Sequence, residues 1–177
     1  MVSMIYSMSV SADGYVNGPD GTFDWAAPSD ELHRFHSQRM TEIGAQLLGR
    51  RLYETMLVWE TEEFTDPTMV EFAELWRPLE KVVFSTTLET VEGNGRLAKR
   101  SLAEEVAALG DTTIAVGGAG LAAACMRAGL IDDFRMFVVP VVVGGGTPYF
   151  PPDVDIALDL VETRTFGSTV YLRYRRV

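Results

Sequence analysis

The chain has 177 residues, 47% of them hydrophobic and 23% charged, a length and composition that fit one domain over residues 1–177 with no linker or low-complexity tract. A formal net charge of −10 argues against a nucleic-acid backbone or an anionic membrane surface as partner, because such affinity comes from Lys and Arg displacing counterions. The single cysteine excludes an internal disulfide, no stretch approaches the roughly 18 apolar residues of a membrane span, and the first ten residues show no basic, apolar leader; a soluble cytoplasmic protein is expected.

Val2, Met4, Tyr6, Met8 and Val10 alternate with mostly small or polar neighbours, which predicts a half-buried first strand. From Ser11 to Ser29 the chain is rich in Gly and Asp and longer than a simple connection needs, the mark of a lid or binding loop. Leu32, Phe35, Met40 and Ile43 share one helical face, so a first helix is predicted over 30–44, opened by Pro28 and Ser29 and closed by Gly44. Residues 45–48 form a short apolar run, read as a buried strand feeding a loop at Gly49-Arg50-Arg51. Met69, Phe72, Ala73 and Trp76 predict a second helix, with Thr68 and Glu71 as its capping box and Pro78 beyond its end.

Residues 81–84 read as a strand ending at Ser85-Thr86-Thr87, and a brief strand is expected around 96–98. Ser101 with Glu104 caps a third helix that stops at Gly110. Residues 112–116 are a β-branched strand opening onto Gly117-Gly118-Ala119-Gly120, followed by a helix that holds Cys125 as a buried thiol and ends at Gly129. Residues 135–143 are almost continuously apolar, as a strand covered on both faces would be, and the triple glycine at 144–146 breaks them. Segments 161–166 and 169–175 form a hairpin about Gly167-Ser168, whose leading glycine suits a type II′ turn. The class is therefore α/β: a mixed, mainly parallel sheet flanked by helices, closed by an antiparallel hairpin.

Three loops follow the carboxyl ends of apolar strands: Gly49-Arg50-Arg51, Ser85-Thr86-Thr87 and Gly117 to Gly120. In a parallel sheet they emerge on one edge, where open α/β sheets bind ligands. Glycines there let backbone N–H groups approach a pyrophosphate, and the following helix N-terminus favours the anion. Two arginines and neighbouring hydroxyls are what a 2′-phosphate asks for, so NADPH is expected over NADH. Gly118, Gly120 and Ala123 also fit a dinucleotide G-x-G-x-x-A pattern, but late in the chain and with no ribose-binding acid after it. His33 and His36 lie three apart with no acidic or cysteine cluster, so no metal site is expected. Neither a zinc-deaminase signature nor a G-x-S-x-G nucleophile motif occurs.

Five motifs in this order, Ser11-Ala-Asp-Gly-Tyr, Leu48-Gly-Arg-Arg-Leu-Tyr-Glu, Val83-Phe-Ser-Thr-Thr, Val116-Gly-Gly-Ala-Gly and Pro140-Val-Val-Val-Gly-Gly-Gly-Thr-Pro-Tyr-Phe, resemble the dihydrofolate-reductase-like family. The resemblance is to its branch related to the C-terminal reductase domain of bifunctional riboflavin-biosynthesis deaminase-reductases. It implies a three-layer α/β fold with a twisted sheet, NADPH across the strand ends, hydride transfer to a pterin, pyrimidine or flavin-precursor ring, and a homodimer. By motif, Gly49, Arg50, Arg51, Ser85 and Thr86 take the adenosine-phosphate side, and Gly117, Gly118, Ala119, Gly120 and Leu121 cradle the pyrophosphate. Val10 and Val16 lie near the nicotinamide, and the double glycine is expected to carry a strained peptide bond. Trp25, Asp30 and Phe35 are the implied substrate contacts, with Asp30 as anchor or proton relay. An acid in a helix's first turn is also stabilised by the dipole alone. Leu52 and Val138 depart from the pattern, each standing where relatives keep a threonine. The alternative reading is a non-catalytic nucleotide-binding or sensing protein on the same scaffold.

Overall fold

A computed structural model describes residues 3–177, so Val2 of the alternating set lies outside the described residues. The central strand, β1 (Ser3–Ser11), runs parallel to β6 (Thr113–Gly117) on one side and β7 (Asp133–Val139) on the other, with Tyr6 opposite both Val116 and Phe134. Beyond β6 lie β3 (Ala45–Gly49), β4 (Glu80–Phe84) and β5 (Gly95–Leu97), all parallel. Beyond β7 lie β10 (Thr169–Arg176), which is antiparallel, and then the edge strand β9 (Leu158–Phe166). The sheet thus has eight strands in the order β5-β4-β3-β6-β1-β7-β10-β9, and a separate pair joins β2 (Tyr15–Asn17) to β8 (Thr147–Pro148).

The apolar runs are continuous because alternate side chains enter opposite layers. Leu47 and Val82 join Tyr6, Ile114 and Phe134 under α5 (Leu102–Ala108) and α6 (Ala119–Arg127). Their neighbours Leu48 and Val83 pack with Tyr53, Phe72 and Trp76 from α2 (Arg50–Met56) and α4 (Pro67–Trp76). Leu32 and Phe35 of α1 (Asp30–Met40) cover Phe137 and Tyr171 on that same face. Cys125 is fully buried, and burial pushes its thiol up to about 12.

Several element boundaries differ from expectation. The first helix ends at Met40, because residues 41–43 wind in tighter turns, with Glu42 N donating to Arg39 O and Ile43 N to Met40 O. Gly44 is therefore no helix stop; a Cβ there would meet Thr112 Oγ1 at 1.9 Å. Arg50 and Arg51 lie in the first turn of α2, not in a loop. The cap of α4 is Asp66, which accepts from Thr68 N and Met69 N ahead of Pro67, so Thr68 and Glu71 form no capping box. The short helix α3 (Val58–Thr61) had no counterpart in the sequence pattern. Strand β7 stops at Val139, since Pro140 has no N–H for the ladder, and Val142 is 73% exposed. The hairpin turn holds Gly167 at φ +59°, and all positive-φ residues among those described are glycines, as the type II′ reading requires of Ser168.

Candidate functional site

The carboxyl ends of β1, β3, β4, β6 and β7 share one rim of the sheet. Two of the three sequence-predicted turns touch there: a Cβ on Gly118 would lie 3.7 Å from Gly49 N, and one on Gly49 3.8 Å from Gly117 O. Gly118, the N-cap of α6, has φ +101°, a torsion that glycine adopts freely and other residues rarely do, and no described peptide bond is cis. Behind it Ala119, Gly120 and Leu121 open the helix with N–H groups that have no intrahelical acceptor.

The third turn sits beside α2 and forms a cleft of about 540 Å³ lined by Arg50, Phe84, Ser85, Thr86, Thr87, Ala98 and Arg100. Ser85 Oγ accepts from Thr87 N and Leu88 N, both at 3.1 Å, which shapes the turn and leaves Thr86 exposed. Among the described residues Arg50 pairs only with Glu54, at 3.3 Å and exposed, an interaction weak enough to yield to a ligand. Arg51 is exposed and lies off the cleft wall.

Arg100 was missed in the sequence. Its signal was the basic pair Lys99-Arg100 in an acidic chain, immediately before the capped helix α5. Glu105, fully buried, accepts from Lys99 N at 2.8 Å and Arg100 N at 3.1 Å, pairs with Arg96 at 2.7 Å, and lies 3.8 Å from Arg100 Nη1. Arg96 above all, with the two backbone donors and against the cost of burial, holds the Glu105 carboxyl down at about 2.

In the middle of the rim the motifs around Ser11 and the triple glycine prove to be fastened together. Ser11 Oγ donates to Asp13, and Asp13 accepts from Val143 N at 3.2 Å and Gly144 N at 2.8 Å. Gly146 is obligatory, because a Cβ would meet Asn17 O at 2.1 Å. Tyr149 stacks on Tyr6 and donates to Tyr6 O at 2.9 Å, anchoring the same loop. Val10 and Val16 are buried in the core beneath this assembly.

A second cleft, of about 490 Å³, opens at the β7 and β9 ends of the rim between the 25–32 segment and the β9–β10 turn. Trp25 and Asp30 line it, as the motif implied, and Val139 and Phe166 to Thr169 complete it. Asp30 is the first residue of α1, behind the Ser29 N-cap, so the dipole also stabilises it. Phe35 does not reach the cleft: it is 4% exposed, enclosed by Phe137, Phe166 and Tyr171 with Arg39 and Arg164 over its ring. It faces the sheet because it lies one helical turn beyond Leu32, on the same buried face of α1.

Leu52 packs against Gly117, and Val138 pairs with Val10 and Val170 inside the sheet. His36 is pushed down to about 4 by burial and then by His33, and no group of three or more His, Cys, Asp or Glu among the described residues could hold a metal ion. Arg173 of β10 pairs with the buried Asp133 at 2.6 Å. No described helix is long and apolar enough to cross a membrane.

Residues 2–172 match the RibD C-terminal domain family. The uncharacterized protein YyaP of Bacillus subtilis strain 168 is 30% identical over 173 residues, covering 94% of this chain and 90% of YyaP. Among solved structures, the dihydrofolate reductase of Enterococcus faecalis complexed with NADP(H) and RAB-propyl aligns with a TM-score of 0.61 at 16% identity, over 98% of this chain and 96% of that one. The Thermotoga maritima diaminohydroxyphosphoribosylaminopyrimidine deaminase/5-amino-6-(5-phosphoribosylamino)uracil reductase aligns with a TM-score of 0.66 at 14% identity, over 99% of this chain and 56% of that one. At such identities the structural likeness establishes a dihydrofolate-reductase-like fold, and the sequence match establishes descent: the chain belongs to the RibD C-terminal domain family.

Proposed function

We propose that this protein is an NADPH-dependent reductase that delivers a hydride to a small heterocyclic ring of pterin, pyrimidine or flavin-precursor type. The observation that carries the reading is the cleft in which Arg50, Arg100 and the 85–87 hydroxyls face one another, beside the Gly49 and Gly118 contact. The residues fit the cofactor. Two guanidiniums and hydroxyls suit a phosphate monoester, and a Cβ on Gly120 would meet nothing within 4 Å, so the space over the first turn of α6 is open to a pyrophosphate. When bound, the nicotinamide supplies the hydride. The chain's own part is orientation: arginines and amides fix the anionic half, while Trp25 and Asp30 present the substrate from the second cleft. Four strand spacings separate β4 from β7, about 19 Å, so the two clefts suit the two ends of one long molecule and its reaction partner.

Titration with NADPH, followed by cofactor fluorescence and then by oxidation against a panel of pterins, pyrimidines and flavin precursors, tests the reading. Saturable binding with ring-dependent oxidation is expected; binding without oxidation of any ring would favour a nucleotide sensor on the same scaffold. We also propose a homodimer, supported by the edge strand β9, where Leu160 and Val161 are 58% and 47% exposed.

A further inference from the structure

Four consecutive backbone N–H groups around Arg100 are all tied. Ala98 N donates to Val83 O at 2.8 Å, Lys99 N and Arg100 N donate to Glu105 Oε1 at 2.8 and 3.1 Å, and Ser101 N donates to Glu104 Oε2 at 3.0 Å. The Ser101 and Glu104 capping box already serves the entry of α5. Glu105, fully buried one position further on, therefore serves two residues that lie outside the helix.

The second oxygen of Glu105 divides unequally between two arginines. Arg96 Nη2 lies 2.7 Å from Oε2, whereas Arg100 Nη1 lies 3.8 Å away, an ion-pair distance beyond hydrogen-bond reach. Arg96 thus offsets most of the carboxylate's charge. Arg100, whose side chain has no hydrogen bond to another described residue, keeps its guanidinium donors for the cleft it shares with Arg50.

We propose that Glu105 is a positioning residue for that cleft: by gripping the backbone of Lys99 and Arg100, it holds the Arg100 guanidinium where a phosphate monoester meets it. The inference rests on the reading of the cleft as the site of the extra phosphate of NADPH, and it adds a residue that is not among those lining the cleft. The Arg100 side chain is 55% exposed, and left to itself it would sample many rotamers that a ligand must then order; a fixed backbone and a loose ion pair lower that cost. The opposite role is that of a competitor, a carboxylate drawing Arg100 away from the phosphate. The two differ in sign, since removing the charge weakens NADPH binding in the first case and strengthens it in the second.

The test compares dissociation constants of NADPH and NADH on the parent chain, Glu105→Gln, Arg100→Ala and the double variant, each shown to be folded by circular dichroism. Glu105→Gln weakens both the grip on the two amides and the ion pair, and is expected to lower the preference for NADPH by about fivefold. With Arg100 already replaced by Ala, the same change is expected to move the preference by less than about twofold. A preference unchanged or raised by Glu105→Gln would overturn the proposal, as would an equal fall in the Arg100→Ala background, the mark of a general structural role. Should Glu105→Gln not fold, Arg96→Met takes its place: Glu105 then draws Arg100 into a direct hydrogen bond and the preference falls by a similar factor, whereas an unchanged preference overturns the proposal. Equal binding of both cofactors by the parent contradicts the phosphate reading instead. In that event NMR relaxation of the Arg100 side-chain Nε–H in the ligand-free chain decides: greater mobility in Glu105→Gln is expected, and equal mobility would overturn the positioning role.

Discussion

A Cβ on Gly117 would sit 2.3 Å from Leu52 Cδ2 and 2.7 Å from Leu48 Cδ2, whereas Gly118 is needed for its φ of +101°. The adjacent glycines thus answer to different constraints, packing in one case and backbone torsion in the other. Gly117→Ala is expected to destabilise by about 1–3 kcal/mol through overpacking, and Leu52→Ala should recover part of that loss in a double-mutant cycle read by urea unfolding. Additive effects would contradict the packing account. Glu105 gives a pH prediction. Its folded-state value near 2 lies below the usual carboxylate value, so its stabilisation is complete above about pH 4.5 and disappears as pH falls through 2. Glu105→Gln should cost about 1–3 kcal/mol at pH 7, and the difference from the parent should shrink across that window in pH-dependent unfolding. The sequence offered no sign of this latch, because Arg96 and Glu105 belong to different elements, β5 and α5.

The elements most visible in the sequence were those whose pattern repeats: the alternation of β1, the apolar runs of β3, β4 and β6, the capped α5 and the hairpin. Less visible were those set by a partner distant in the chain. Asp133, Arg135 and Arg173 sit on β7 and β10, and the arginines meet the buried Asp133 at 3.1 and 2.6 Å, a pairing that needs the antiparallel register of those strands. Burial pushes the Asp133 carboxyl up, but Arg173 and Arg135 more than offset this and hold it below its usual range. Asp133→Ala would leave buried Arg135 without that acid and is expected to destabilise by about 3–5 kcal/mol in denaturant unfolding. A loss under about 1 kcal/mol would contradict it. At the edge, the β9 register steps from Glu162 opposite Arg173 to Leu160 opposite Tyr174, a bulge at Val161. Leu160→Lys is expected to shift the protein toward monomer in sedimentation equilibrium if β9 is the dimer contact; an unchanged mass would locate the contact elsewhere or nowhere.

At the scale of the whole molecule, parallel strands bring together what the chain keeps apart. Arg50 and Arg100, fifty positions distant in the sequence, share one cleft, and Trp25 and Asp30 meet the turn at 166–169 in another. The first of these was half legible, since Gly49, Arg50, Ser85 and Thr86 follow strand ends, but Arg100 follows a strand of only three residues. The second lost Phe35: its place with Leu32 on the apolar face of α1 already pointed it at the sheet, and only the family resemblance gave it a substrate role. In the proposed function, the Arg50 and Arg100 cleft recognises the extra phosphate of NADPH. Binding constants for NADPH and NADH, measured on the parent chain and on Arg50→Ala, Arg100→Ala and their combination, test it most directly. Tighter binding of NADPH by about 10- to 100-fold is expected, falling to within about threefold in the double variant while NADH binding changes little. Equal affinity for both cofactors in the parent chain, or a preference that survives loss of both arginines, would contradict it.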